Sequence, residues 1–280
     1  MDTILSKKIG LIAGEGELPA RLAKSAKEQG FEIVAISVIP SNKKALQEVC
    51  SKVYSKGPGE VQAMIDIMKG EGVNQISFIG KVHKGLLFRP ILDARAKKMM
   101  RDVKRLNDDA VMLRIIDELE KENISVLDQT IFLKDFFPNK GLIGNIQPTE
   151  SQMIDIEYGF QIAKEIGRLD LGQSVVVQNR MILAAETIEG TDKAIERGCK
   201  MAKGGIENLF RKSEGATVVK VSKPEQDKRF DVPAVGLRTM QTMKRFGANV
   251  LAIEAGETFV IERERMVEFA DRHGIVFIAV

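Results

Sequence analysis

Residues 9–19 read IGLIAGEGELP, and this stretch decides the fold. Its first five residues, all apolar or glycine, predict a buried strand over 9–13, and Gly14 follows it. Pro19 favours the first turn of a helix, because the N–H that proline lacks would have no partner there. A strand, a glycine turn and a helix together form the opening unit of an α/β sheet.

The alternation of strand and helix patterns continues through the first half of the chain. It predicts βαβ units and therefore a parallel sheet with right-handed crossovers. The predicted strands are 31–38, 75–79 and 124–127, and the predicted helices are 61–68 and 108–121. The segment FFPNKG at 136–141 interrupts the pattern, so we predict one domain over 1–137 and a second α/β domain over 138–280.

The second half repeats the alternation. A long helix is predicted from Thr149, because Gln152 follows it with the spacing of a capping box. Further predicted elements are strands 174–178, 181–185, 216–221, 249–253 and 275–280 and helices after Asp192, over 236–246 and over 262–273. A cleft between two α/β halves is the expected place for an active site.

Composition excludes several classes of protein. The chain of 280 residues is 44% hydrophobic and 29% charged, which argues against disorder. A formal net charge of +3 does not indicate nucleic-acid binding. Cys50 and Cys199 are isolated, which indicates neither a disulfide framework nor a metal motif and favours a cytosolic protein. No stretch approaches the roughly 18 apolar residues of a membrane-spanning helix.

Gly14 and Gly16 could bring backbone N–H groups to a phosphate at the start of the helix. The dinucleotide fingerprint needs a third glycine, where Pro19 stands, and no acid closes the second predicted strand. A nicotinamide site is therefore disfavoured. A plain tight turn and a phosphate-contacting loop both remain open.

Residues 220–233, KVSKPEQDKRFDVP, crowd four cations and three carboxylates into an irregular segment bracketed by prolines. Asp227 and Asp231 can offer hard oxygens to Mg²⁺. Lys220, Lys223 and Arg229 can hold phosphate oxygens. Such a set is suited to phosphoryl transfer. The alternative is a solvated loop with mutual salt bridges.

A second acidic block, AAETIEGTD at 184–192, lies at a strand-to-helix junction. Glu186 and Asp192 are candidate metal ligands. Thr191 or Asp192 could instead cap the helix, and Glu186 could belong to a structural ion pair.

Two segments of the sequence are candidates for contact with a lipid. Apolar residues in 82–91 could line a lipid groove, although a core segment is the favoured interpretation. The basic residues of 95–105 indicate either a solvated helix or a surface that attracts an anionic substrate or lipid.

Three motifs, at 10–19, 184–192 and 220–239, together carry a resemblance over essentially the whole chain. The chain resembles the UDP-2,3-diacylglucosamine pyrophosphatases of lipid A synthesis, in the branch unrelated to the calcineurin-like metallophosphatases. The absence of a His-rich metal set, with only His83 and His273 in the chain, agrees with that branch.

The resemblance implies a Mg²⁺-dependent hydrolysis of a lipid-linked nucleotide sugar to UMP and 2,3-diacylglucosamine 1-phosphate. It also implies a Rossmann-like N-terminal domain, a distinct α/β C-terminal domain with the active site between them, and a cytoplasmic homodimer in peripheral contact with the inner membrane. A non-catalytic nucleotide- or lipid-binding protein remains the alternative.

The motifs assign candidate roles to individual residues. Asp231 is the first choice for the essential acid and Asp227 the second, and the sequence does not separate them. The full candidate set comprises catalytic Asp231, Asp227, Lys220, Lys223 and Arg229, substrate-binding Gly14, Gly16, Lys81, Gln226, Thr191 and Thr239, and metal-binding Asp227, Asp231, Glu186 and Asp192.

Overall fold

The computed structural model describes residues 6–82, 92–101, 108–203 and 215–280. The chain divides into two compact units. The first comprises Met1–Lys134 together with Lys228–Phe230, and the second comprises Asp135–Asp227 together with Asp231–Val280. The short segment Lys228–Phe230 thus belongs to the first unit although it lies within the charged stretch at 220–233.

Five parallel strands form the sheet of the first unit, in the order β3-β2-β1-β4-β5. These strands are β1 (Lys8–Ala13), β2 (Glu32–Ser37), β3 (Lys52–Ser55), β4 (Gln75–Ile79) and β5 (Ser125–Val126). The described helices of this unit are α1 (Leu18–Glu28), α2 (Lys43–Val49), α3 (Val61–Gly70), α4 (Ala94–Arg101) and α5 (Asp108–Glu120). The strand order reverses between β1 and β4, as in doubly wound folds, and the predicted parallel α/β class is confirmed.

One core cluster of the first unit lies between the sheet and helices α3, α4 and α5. Apolar residues recur on α3 at helical spacing, so that one face of the helix is buried. The cluster includes Val34 and Ile36 of β2, Ile65 and Met68 of α3, Met99 of α4 and Leu119 of α5.

The turn after β1 packs directly against the turn after β4. The Gly14 N–H donates to the carbonyl oxygen of Ile79 at 2.8 Å. A Cβ on Gly14 would lie 2.7 Å from the carbonyl carbon and oxygen of Gly80. Glu15 and Lys81 then exchange two backbone hydrogen bonds, of 2.7 and 3.0 Å. Gly14 is therefore needed for close approach of two backbones.

Six strands form the main sheet of the second unit, in the order β6-β13-β11-β9-β7-β8. They are β6 (Gly141–Leu142), β7 (Ser174–Gln178), β8 (Met181–Ala185), β9 (Ala216–Lys220), β11 (Ala248–Ile253) and β13 (Val276–Ala279), while β10 (Ala234–Val235) and β12 (Phe259–Val260) pair separately. The strands β9, β11 and β13 are parallel, whereas β7 is antiparallel to both β8 and β9.

Helices cover both faces of this sheet. They are α6 (Glu150–Arg168), α7 (Thr191–Lys203), α8 (Leu237–Phe246) and α9 (Arg263–His273). Helix α6 packs over Val175, Val177 and Val219, whereas the other three helices pack over Val176, Val218 and Leu251. Alternate residues along each strand thus face different helix layers, as the pleat requires.

The predicted start of α6 is confirmed in detail. Thr149 is the N-cap residue, and its hydroxyl accepts the Gln152 N–H at 3.2 Å while the Gln152 side chain accepts the Thr149 N–H at 2.9 Å. This reciprocal pair satisfies two otherwise unpartnered N–H groups at the start of the helix. None of the helices in the described ranges is long and apolar enough to cross a membrane.

We expect Gly14→Ala to destabilise the first unit, because its methyl group would overlap the backbone of Gly80. The expected loss is about 1–3 kcal/mol in the free energy of unfolding, measured by urea denaturation. Gly70→Ala is the matched control, since no atom lies within 4 Å of the Cβ it would add at the end of α3. An equal effect of both substitutions would contradict the packing role of Gly14.

Candidate functional site

Strand direction brings three chain segments to one edge of the second unit's sheet. Because β7 is antiparallel to β8 and β9, the start of β7 lies beside the carboxyl ends of both neighbours. Ser174 at the start of β7 pairs with Lys220 at the end of β9. The carbonyl oxygen of Ser174 accepts the Glu186 N–H at 2.8 Å, just after β8 ends. Polar residues that end these strands therefore converge.

A pocket of about 320 Å³ opens at this edge. That volume lies within the roughly 300–1,000 Å³ of small-molecule sites. The pocket lies within the second unit. Its lining residues are Asp170, Leu171, Gly172, Gln173, Glu186, Thr187, Ile188, Lys223 and Asp231. Three residues singled out from the sequence, Glu186, Lys223 and Asp231, are thus brought to one pocket.

Gly172 makes the wall of this pocket possible. A Cβ at this position would lie 2.2 Å from the carbonyl oxygen of Glu186. No larger residue fits unless the backbone moves. This close approach holds Glu186 against the turn that precedes β7.

Lys220 and Glu186 are connected through Thr191. The Lys220 ammonium donates to the Thr191 hydroxyl at 2.9 Å, and that hydroxyl donates to Glu186 Oε1 at 2.9 Å. Lys220 is 7% exposed and Glu186 is 9% exposed. Because charges buried to this extent require partners, the shared hydroxyl stabilises both. The Thr191 hydroxyl therefore connects Lys220 to Glu186.

Thr191 engages only one of the two carboxylate oxygens of Glu186, Oε1. Its Oε2 atom is buried and has no hydrogen-bond partner among the residues that the structure describes. A carboxylate oxygen in this position normally accepts from a donor or binds a cation, because leaving it unpartnered costs free energy. The unpartnered Oε2 atom therefore makes the Glu186 carboxylate a candidate ligand-binding group.

An ion pair anchors the charged stretch where it leaves β9. Glu254, which follows β11, accepts the Ser222 N–H at 2.7 Å. Lys164 of α6 donates to the Ser222 carbonyl oxygen at 3.0 Å and pairs with Glu254 at 2.6 Å. Both polar backbone groups of Ser222 are thereby satisfied, so the first part of the stretch is fixed to the sheet.

The next residues form a turn with Pro224 at its second position, and the Gln226 N–H donates to the Lys223 carbonyl oxygen at 3.1 Å. The Gln226 side chain folds back, and its Nε2 donates to Asp231 Oδ2 at 2.7 Å. Lys223 pairs with Asp170 at 2.7 Å, across the pocket wall.

Other candidate residues lie elsewhere. Asp192 pairs with Arg238 at 2.8 Å, and Asp227 accepts the Asp231 N–H through its carbonyl oxygen at 2.9 Å. Thr239 lies in the first turn of α8. Arg229 lies in the first unit, where it approaches Glu120 at 3.5 Å.

The glycine candidates and Lys81 also lie in the first unit. The N–H groups of Gly14 and Lys81 are occupied by backbone acceptors, Ile79 and Glu15. Gly16 has a φ of +103°, a conformation that favours glycine. Close packing accounts for Gly14 without a phosphate, and binding roles for these residues stay predictions.

The four predicted metal ligands do not form a ready-made cluster. In the described ranges, no three His, Cys, Asp or Glu side chains converge in a way that would hold a metal ion. Glu186 and Asp231 share the pocket, whereas Asp192 is engaged by Arg238. Any metal ion here would take several of its ligands from elsewhere.

The basic segment is only partly described. Arg95 donates to Glu118 and Glu122 at 3.0 and 2.6 Å, so its charge serves an ion-pair network between α4 and α5. Hydrogen bonds from Lys69 and Arg95 lower the pKa of Glu122 to about 2. Residues 83–91, which include His83, and residues 102–107 lie outside the described ranges. His273 lies in the last turn of α9, with its ring 4.3 Å from that of Phe269.

Several site residues were not predicted, among them Asp170, Gly172, Gln173, Lys164 and Glu254. The role of Gly172 could have been predicted from the sequence, since a glycine next to a buried strand often marks close backbone approach. Lys164 and Glu254 are separated by 90 residues, and no local pattern connects them.

Comparison with known proteins gives a consistent relationship. Residues 8–136 match the model of the LpxI N-terminal domain, and residues 139–278 match that of the LpxI C-terminal domain. A relative in Caulobacter vibrioides, named UDP-2,3-diacylglucosamine pyrophosphatase LpxI, is 30% identical over 277 residues, which is 98% of each chain.

Similarity to solved structures is weak. The ADP complex of N5-carboxyaminoimidazole ribonucleotide synthetase is 17% identical, with a TM-score of 0.30, over 64% of this chain and 34% of that one. The structure of gox2253 is 8% identical, with a TM-score of 0.30, over 72% of this chain and 68% of that one. The two domain matches and the full-length relative show instead that this chain belongs to the LpxI family.

Proposed function

We propose that this protein hydrolyses the pyrophosphate of UDP-2,3-diacylglucosamine, giving UMP and 2,3-diacylglucosamine 1-phosphate for lipid A synthesis. The observation that carries the proposal is the 30% identity, over 98% of both chains, to a protein named for that activity. The enzyme would accordingly be a hydrolase of a phosphoric anhydride.

The pocket chemistry supports this reaction class. Hydrolysis of a pyrophosphate needs cations for the phosphate oxygens and a carboxylate for the attacking water, and it needs no covalent nucleophile. Lys223 and Asp231 line one pocket with Glu186, and Lys220 is connected to Glu186 through Thr191.

The carboxylates of the pocket fit a Mg²⁺ ion. Mg²⁺ is commonly bound by one or two carboxylates and takes its remaining oxygens from substrate phosphates and water. Glu186, with its buried and unpartnered Oε2, would supply the protein ligand, and Asp231 lines the same pocket. A bound Mg²⁺ would neutralise negative charge on the phosphate oxygens.

Other residues of the site would bind the phosphate, orient Glu186 and accept a proton from the attacking water. Lys223 would bind a phosphate oxygen, sharing its ammonium group with Asp170. Thr191 would orient Glu186, and Asp231 would accept a proton from the attacking water at Oδ1, since Oδ2 accepts from Gln226. The family resemblance favours a cytoplasmic homodimer that meets its lipid-linked substrate at the inner membrane.

The direct test is incubation of the purified protein with Mg²⁺ and UDP-2,3-diacylglucosamine. We expect release of UMP, detected by chromatography, and loss of the activity when EDTA is added. Binding of the substrate without turnover, and with indifference to Mg²⁺, would indicate a non-catalytic binding protein instead.

Asp231→Asn should lower kcat by about 10²–10⁴-fold, because the amide cannot accept a proton from water. Folding should be retained, since Asn preserves the shape of the side chain. Glu165→Gln is a matched control, because it removes an exposed carboxylate of α6 that pairs with Arg168. A fully active Asp231→Asn enzyme would remove Asp231 from the mechanism.

Thr191→Val should separate Lys220 from Glu186, because the isosteric side chain lacks the shared hydroxyl. We expect a loss of about 1–3 kcal/mol in the free energy of unfolding and a higher Mg²⁺ concentration for half-maximal rate. Thr191→Ser retains the hydroxyl and should behave like the wild type in both measurements. Similar losses in the two variants would mean that the methyl group, and not the hydroxyl, matters.

A further inference from the structure

The hydrogen bonds around Gln226 determine the orientation of its amide. The side-chain Oε1 accepts the Lys223 N–H at 2.9 Å and lies 3.0 Å from the Ser222 hydroxyl, which donates to it. A backbone N–H can only donate, so the atom that faces it must be the amide oxygen. The amide nitrogen therefore faces the other way, where the Asp231 carboxylate can only accept.

This amide connects a rigid anchor to the reactive carboxylate. On one side, Ser222 is held to the sheet by Glu254 and Lys164. On the other side, Gln226 Nε2 donates to Asp231 Oδ2 at 2.7 Å. The Asp231 N–H donates to the Asp227 carbonyl oxygen at 2.9 Å. Backbone and side chain of Asp231 are thus both restrained.

The neutral amide also has a chemical advantage. A lysine or arginine here would hold the carboxylate by charge and would compete with a cation for it. Glutamine engages only Oδ2 and adds no charge. Oδ1 of Asp231 has no hydrogen-bond partner within the described ranges, so it stays available for a ligand.

We propose that Gln226 is a positioning residue, whose amide fixes the Asp231 carboxylate in the geometry that the reaction needs without contacting the substrate itself. The proposal rests on the proposed function for its catalytic consequence. It differs from the substrate-binding role that the sequence motif implied for Gln226.

Two substitutions separate positioning from other roles. Gln226→Glu keeps an acceptor for Ser222 and Lys223 but replaces the donor with a carboxylate that repels Asp231. Gln226→Met preserves the length of the side chain and removes both functions. We expect Gln226→Glu to remain folded and to lose at least about tenfold in kcat, with KM changed by less than about threefold. Gln226→Met should lose both activity and thermal stability.

The changes in kcat and KM of Gln226→Glu separate a positioning role from the two alternatives. If Gln226 only braced the loop, Gln226→Glu would keep the kcat of the wild type. If it bound substrate, KM would rise while kcat stayed constant. Either result would overturn the proposal.

A spectroscopic measurement tests the contact independently of turnover. With ¹⁵N-glutamine labelling, the Gln226 side-chain amide signals are identified by their absence in Gln226→Glu. We expect these signals to shift in Asp231→Ala, because the amide loses its charged acceptor. Unchanged signals would refute the contact even in an active enzyme, whereas shifted signals in a protein without turnover would refute the proposed function alone.

Discussion

The antiparallel direction of β7 is the constraint on which the candidate site depends. In a sheet whose strands β9, β11 and β13 are parallel, β7 alone brings its amino end to the carboxyl end of β9. The tight turn to β8 then returns the chain to the same edge at Glu186. Asn179 and Arg180 make that turn with φ of 52° and 58°, and the Asp155 carboxylate accepts both of their N–H groups. With β7 parallel, Ser174 and Lys220 would lie at opposite ends of the sheet.

This edge concentrates charge in a partly buried place, which is costly unless each charge has a partner. Lys220 and Glu186 share the hydroxyl of Thr191, and Lys223 pairs with Asp170. Among the described residues of this pocket, two buried side-chain oxygens have no hydrogen-bond partner, one on the Glu186 carboxylate and one on the Gln173 amide. Since most buried polar groups are satisfied in native proteins, an unsatisfied one at a pocket points to a group that arrives with the ligand.

Most of the secondary structure could be predicted from local sequence patterns. β-branched runs marked the central strands, and the spacing of Thr149 and Gln152 marked the start of α6. The sequence did not predict β3 or α2, because β3 is only four residues long and α2 buries only Leu46. Such short elements depend on tertiary contacts for their stability, so their own sequences are weak signals.

The site was predictable to a smaller extent, because its assembly depends on contacts between distant residues. Composition identified Glu186, Lys223 and Asp231 as chemically capable, and the fold brings them to one pocket. Composition could not reveal that Asp192 is engaged by Arg238, or that Lys164 and Glu254 anchor Ser222. These partners are brought together by strand order and helix packing, which local spacing does not encode.

Asp227 and Asp231 illustrate how geometry separates residues that are chemically identical. They lie four positions apart in one charged stretch, and each could serve as the essential acid. Asp231 lines the pocket and accepts from the Gln226 amide, whereas the backbone carbonyl of Asp227 supports the turn that holds Asp231. A carboxylate held through one oxygen has fewer orientations to lose when the other oxygen engages a ligand. Preorganisation of this kind therefore favours Asp231 for the chemical role, and it gives Asp227 a place in the turn that supports it.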